Sequence, residues 1–96
     1  MLVNIADKSF RLFFRYYISE LELSKKLSDV RVTEANFCDP IDPKLTYFLG
    51  IAMCSPKDNF TKARGRKLAI SRAIQNLPVS DRVKVWQQII EKIHLI

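Results

Sequence analysis

Residues 10–18 read Phe-Arg-Leu-Phe-Phe-Arg-Tyr-Tyr-Ile. With a period of two, Phe10, Leu12, Phe14, Tyr16 and Ile18 make one wholly apolar face, and Arg11, Phe13, Arg15 and Tyr17 alternate on the other. With a helical period, Lys8, Arg11, Arg15, Ser19, Glu22 and Lys26 make a polar stripe instead. Aromatic enrichment favours the strand, because such side chains pack well on a pleated surface. The helix stays open as the alternative. Residues 19–29 turn polar and read as a loop or a short irregular extension.

A second strand is expected over 30–37. Its apolar parity slips, from Val30 and Val32 to Ala35 and Phe37, which points to a bulge. Asp39-Pro40-Ile41-Asp42-Pro43 is a turn, since two prolines remove amide donors and aspartates favour tight bends. A third strand over 45–54 places Leu45, Tyr47, Leu49, Ile51 and Met53 on one face and Phe48, Gly50, Ala52 and Cys54 on the other. With apolar side chains on both faces, it reads as the most buried of the three. A hairpin centred near Ile41 puts Val30 near Ala52 and Val32 near Gly50. It keeps Cys38 far from Cys54, which argues against a disulfide.

Two helices follow. The first opens after Ser55-Pro56, with Ser55 or Asp58 as its cap, and runs to about residue 77. Phe60, Ala63, Ile70, Ala73, Ile74 and Leu77 gather on one arc of it. Pro78 stops that helix and Ser80 caps the next, whose apolar arc is Val83, Trp86, Ile89, Ile90 and Ile93. The expected architecture is α+β. A three-stranded antiparallel sheet is followed by two helices packed on one face, in the order βββαα.

Ninety-six residues hold one domain, spanning 1–96. Hydrophobic residues make up 48% and charged residues 27%, a globular rather than disordered balance. No stretch reaches the roughly 18 uninterrupted apolar residues of a membrane span. Asp7 comes early and no charged lead precedes an apolar block, so the chain reads as cytoplasmic, without a secretory signal. Two cysteines and one histidine, His94, supply neither a disulfide scaffold nor a zinc site.

Charge is distributed unevenly. Residues 1–43 hold six basic and seven acidic side chains, and residues 44–96 hold ten basic and three acidic, so the net +6 comes from the second half. The densest stretch is 57–67, where Lys57, Lys62, Arg64, Arg66 and Lys67 face only Asp58. Its functional reading is a helix start that meets phosphates, through backbone amides, the helix dipole and flanking cations. Double-stranded-RNA-binding domains are similar in a general way, with a basic helix start following a small sheet. The structural reading is a solvated basic face.

Arg66 stands apart, lying within about 40° of the centre of the apolar arc by helical geometry. It is read as structural, with Asp58 as candidate partner. The ligand-contact candidates are Lys57, Lys62, Arg64, Lys67 and Arg72. Gly65, in mid-helix, costs about 1 kcal/mol relative to Ala; close packing against another element is the expected offset, with close approach of a ligand backbone as the alternative. Arg11, Phe13, Arg15 and Tyr17 interleave rings and cations as single-strand binders do, or form a face for a partner protein or a second copy in a homodimer. Arg11 and Arg15 join the candidate nucleic-acid contacts.

Catalytic patterns are missing. The sequence offers no Ser/His/Asp set, no paired carboxylates in one element, no glycine-rich phosphate loop and no metal cluster. Cys54 precedes a helix start but has no His base. A non-enzymatic chain without a cofactor is expected.

Three short patterns have a recognisable look: Cys54-Ser-Pro56-Lys-Asp58-Asn-Phe60, then Gly65-Arg66-Lys-Leu-Ala69 with Arg72-Ala73, then Arg82-Val-Lys-Val-Trp86. Together they resemble small bacteriophage accessory proteins that share a Cys-x-Pro-x-Asp-x-Phe stretch, a Gly-Arg-x-x-Ala helix and an Arg-x-x-x-Trp. The resemblance covers residues 45–90 well and the first 40 loosely. Many of the similar proteins carry His where Ser55 stands here. It implies a viral accessory protein acting in the cytoplasm of an infected bacterium, and it brings no activity with it. The leading expectation is binding of nucleic acid, or of a host nucleoprotein complex, through the basic helix. The alternatives are a protein–protein inhibitor of a host defence factor, of the anti-CRISPR type, and a binder of a small phosphorylated ligand.

Overall fold

The computed structural model describes residues 1–23, 26–54 and 61–93. Its elements in chain order are β1 (Leu2–Ile5), β2 (Lys8–Leu23), β3 (Lys26–Cys38), β4 (Thr46–Cys54), α1 (Lys62–Ala73) and α2 (Val79–Ile93). The strands form one antiparallel sheet in the order β1-β2-β3-β4. The class is α+β as expected, but the sheet has four strands rather than three.

The added strand is β1, four residues long and paired with β2 from Leu2↔Arg11 to Ile5↔Lys8. No Gly or Asn marks its turn. Ala6 instead takes the left-handed conformation, φ 53°, which costs a residue with a Cβ about 1–2 kcal/mol. Residues 10–18 are strand, so the helical alternative is set aside. The polar stretch 19–29 is not a loop: β2 runs on to Leu23 and β3 starts at Lys26, with Ser19↔Val30 through Leu23↔Lys26 in register. Beyond Arg31 this hairpin continues without β4 beside it, and the molecule is 48 Å in its longest direction.

Register explains the apparent slip in residues 30–37. There is no bulge within that run. Val30 and Val32 lie on one face of β3, and Ala35 and Phe37 lie on the other; all four are buried, and the last three sit between β2 and β4. The irregularity is at Phe37/Cys38, where Phe37 pairs with Phe48 but Cys38 with Thr46, leaving Tyr47 as the extra residue. The β3–β4 pairing is also displaced from the expected one. Val32 faces Met53, and Ala35 faces Gly50. β4 is not the most buried strand, because it is the edge: Leu45, Tyr47, Leu49 and Met53 are exposed. Cys38 and Cys54 stand at opposite ends of the pairing, opposite Thr46 and Arg31 respectively, and form no disulfide with each other.

Both helices pack on one face of the sheet. That face presents Val3, Ile5, Phe10, Leu12, Ala35, Phe37 and Ala52, which meet Ala69, Ile70, Ile74, Val85 and Ile89. Phe10, Phe37, Tyr47 and Phe48 form edge-to-face ring contacts at one end, with centroids 5.5 to 6.2 Å apart. The two layers approach most closely at Gly50. A methyl group there would overlap the Ala69 carbonyl oxygen and stand 2.5 Å from Ala73 N, so only a hydrogen fits.

α1 is capped by Thr61, whose hydroxyl accepts from Arg64 N at 3.3 Å. The expected caps Ser55 and Asp58, together with Phe60, lie outside the described residues. α1 ends at Ala73 rather than near 77; a turn carries the chain on, in which Ile74 N–H donates to Ile70 O and Leu77 N–H to Ile74 O. α2 begins at Val79, with Pro78 O accepting from Arg82 N, so Ser80 is inside the helix rather than its cap. The inward arc of α2 is centred on Val85 and Ile89, with Trp86 beside them; Val83 and Ile90 face solvent instead.

Candidate nucleic-acid interface

The layering separates charge. α1 and α2 together hold eight basic side chains and two acidic ones, Asp81 and Glu91. That balance of +6 equals the net charge of the whole chain, and the remaining eight basic and eight acidic residues cancel. The helical layer is therefore the positive side of the molecule.

The cations of α1 fall into two groups. Arg66 and Lys62 turn back onto β2. Arg66 Nη1 donates to the Tyr16 phenol oxygen at 3.2 Å, and Lys62 Nζ sits 5.1 Å from the centroid of the same ring. Arg66 is thus structural, as expected from its position on the arc, with Tyr16 as its partner. The expected partner, Asp58, lies outside the described residues. Arg66 Nε is buried without a hydrogen bond. Arg72 reaches round the sheet edge, and its Nη1 donates to Ile51 O at 2.7 Å, which ties one end of its guanidinium to the edge of β4.

Arg64 and Lys67 form the second group. Both are exposed on the outer side of α1, and neither side chain has a partner among the described residues. Lys84 of α2 is likewise exposed with its ammonium unpartnered among the described residues. Sequence reasoning passed over Lys84. The available signal was its place on the polar arc of α2 with Ser80, Gln87 and Glu91.

Arg11 and Arg15 do not join these cations. They stand with Phe13 and Tyr17 on the β2 face opposite the helices. Lys57 lies outside the described residues. The six expected contacts that are described thus divide into a helical set (Lys62, Arg64, Lys67 and Arg72) and a pair on the far side of the sheet.

Among the described residues the far face carries no helix, although Val30, Val32 and Asn36 on it are buried. In β2 it presents Arg11, Phe13, Arg15 and Tyr17, in β3 Val32, Glu34 and Asn36, and in β4 Leu49, Ile51 and Met53. Met53 is 61% exposed, Leu49 49% and Tyr17 42%. The Tyr17 hydroxyl donates to Glu34 Oε2 at 2.7 Å. That bond, with some burial and the nearby negative charge, raises the phenol above its ordinary 10.0, and Arg15 opposes the shift.

Several of the described residues behind the phage-protein resemblance are held within the fold. Ala69 meets Gly50, Arg66 holds Tyr16, Arg82 is half-buried and Trp86 packs on the core. Among the described residues no group of His, Cys, Asp and Glu could hold a metal ion, and no helix is long and apolar enough to cross a membrane. No protein-family model, curated protein or solved structure matches the chain.

Proposed function

We propose that the protein is a non-enzymatic accessory protein, of the bacteriophage type its motifs resemble, that binds nucleic acid through the outer surface of its helical layer. One observation carries the reading: the whole net charge lies in α1 and α2, and Arg64, Lys67 and Lys84 are exposed there without partners among the described residues. Such cations gain by releasing the counterions condensed on a polyphosphate backbone. Their contacts would be to phosphate rather than to base edges, so the reading is of sequence-tolerant binding.

A small phosphorylated ligand at the start of α1 is less well supported, because Lys62 and Arg66 are already engaged by Tyr16. An inhibitor of a host protein would use the sheet face away from the helices, whose exposed Leu49 and Met53 suit a protein better than phosphate.

The test is charge reversal. Arg64→Glu with Lys67→Glu should abolish binding to fluorescent single- and double-stranded oligonucleotides at low salt while leaving the melting temperature within a few degrees. Wild-type protein that binds none of these oligonucleotides at low salt would refute the reading.

A further inference from the structure

We infer that the nucleic acid held by the helical layer is double-stranded, a choice that rests on the nucleic-acid reading and narrows it. The observation behind it is where the aromatic rings stand relative to the unpartnered cations.

Single-strand binders need both on one surface, cations for the backbone and rings on which bases stack. Here the sheet divides them. Arg64, Lys67 and Lys84 are exposed on the helices. The two helices hold a single ring, Trp86, which is half-buried and packed on the core. Phe10, Phe14, Phe37 and Phe48 pack in or against the core. Tyr47 meets Phe10 edge to face, 5.5 Å between centroids. Tyr16 lies toward α1, but Lys62 covers its ring and Arg66 takes its hydroxyl. Among the described residues, no ring stands free beside Arg64, Lys67 and Lys84.

Rings and cations do meet on the other face of β2, where Phe13 and Tyr17 alternate with Arg11 and Arg15. Glu34 stands among them. It is opposite Arg15 in register and accepts the Tyr17 hydroxyl at 2.7 Å. A carboxylate thus opposes phosphate at the one place where stacking is on offer.

The helical layer supplies what a duplex backbone takes. Duplex bases are already stacked on one another, so contact with phosphates needs only charge and hydrogen-bond donors. Arg64, Lys67 and Ser71 are all exposed. By helical geometry they fall within about 60° of one another and span about 10 Å of α1. Seryl hydroxyls, like Lys and Arg, donate to phosphate. The duplex also carries the denser charge. Each neutralised phosphate releases about 0.9 counterion there against about 0.7 on a single strand. For three cations the slopes differ by about 0.6, so probes bound equally at about 1 M salt differ about sixfold at about 50 mM.

Fluorescence anisotropy of the intact chain tests the inference. Because the contacts are to phosphate, DNA serves as the probe: a labelled strand of about 20 nucleotides without self-complementarity, alone and annealed to its complement, at about 50 mM salt. The duplex should bind about sixfold more tightly than the strand. Arg64→Glu with Lys67→Glu should remove duplex binding, and Tyr17→Ala should leave it within about twofold. Circular dichroism establishes that the variants are folded, and the comparison of the two probes needs only the wild type. A single strand bound within about threefold of the duplex, or more tightly, overturns the inference and leaves the nucleic-acid reading standing. Binding of neither probe refutes that reading and the inference with it. Duplex binding lost in Tyr17→Ala but kept in the Arg64 and Lys67 variant moves the ligand to the other face of the sheet and also overturns the inference.

Discussion

Arg66 and Tyr16, fifty residues apart in sequence, are joined by a 3.2 Å hydrogen bond from the guanidinium to the phenol oxygen. With Lys62 over the same ring, this contact pins the start of α1 to β2. It also decides which cations remain for a ligand, since Arg66 and Lys62 face inward while Arg64 and Lys67 do not. Tyr16→Phe removes the acceptor but keeps the ring. It should cost about 1 kcal/mol in urea unfolding, and Tyr16→Ala should cost more by losing the cation–π contact as well.

Gly50→Ala should be among the most damaging single changes. The added methyl would overlap the Ala69 carbonyl and crowd Ala73 N, and backbone cannot move aside as a flexible side chain can. A loss of at least about 3 kcal/mol is expected, read as a fall in the urea midpoint or failure to fold.

The opposite change is expected to help at Ala6. Its φ of 53° belongs to the left-handed region, where glycine sits without strain. Ala6→Gly should raise stability by about 1 kcal/mol. An unchanged or lower midpoint would show that this conformation carries no strain.

Much of the fold is legible from side-chain periodicity, and the departures have physical causes. Phe10, Leu12 and Phe14 alternate strictly because one face of β2 is buried and the other is not. Val30, Val32, Ala35 and Phe37 look like a broken strand because β3 has buried residues on both of its faces, Val30 and Val32 on one and Ala35 and Phe37 on the other. β1 escapes notice because its turn uses Ala6 rather than glycine. The expected site separates for a related reason. Arg64 and Lys67 are readable as exposed on the helix, but parity alone does not say on which side of the sheet α1 lies relative to Arg11 and Arg15. Only the packing of α1 against Gly50 answers that.

Tyr17 and Glu34 give a pH signature. Tyr17 has its folded value raised above 10.0, chiefly by its bond to Glu34, so the neutral phenol is favoured in the folded state. Its contribution is fully present below pH 10 and is lost as pH rises through the raised value. Wild type should therefore lose stability on going from about pH 9 to about pH 11 relative to Tyr17→Phe. Glu34→Gln should bring the phenol titration, followed by ultraviolet absorbance, back toward its ordinary position. Coincident titrations of wild type and Glu34→Gln would contradict the bond.

Arg72 tests the guarding of β4. Arg72→Ala frees Ile51 O on an exposed edge beside Leu49 and Met53. Concentration-dependent aggregation, measured by light scattering, should increase. Nucleic-acid affinity should fall less than it does for Arg64→Glu, because one end of the Arg72 guanidinium is already held by the sheet.

The central claim is that unpartnered cations on the helical layer grip phosphates, and the salt dependence of oligonucleotide affinity tests it most directly. Three engaged cations give a logarithmic slope of about −2.1 for single strands to about −2.7 for duplex, so affinity should fall roughly 20- to 40-fold between about 50 and 200 mM salt. The slope should lessen by about 1 when Arg64 alone is replaced by Ala. Affinity that is flat across that salt range, or a slope unmoved by Arg64→Ala, would contradict the account.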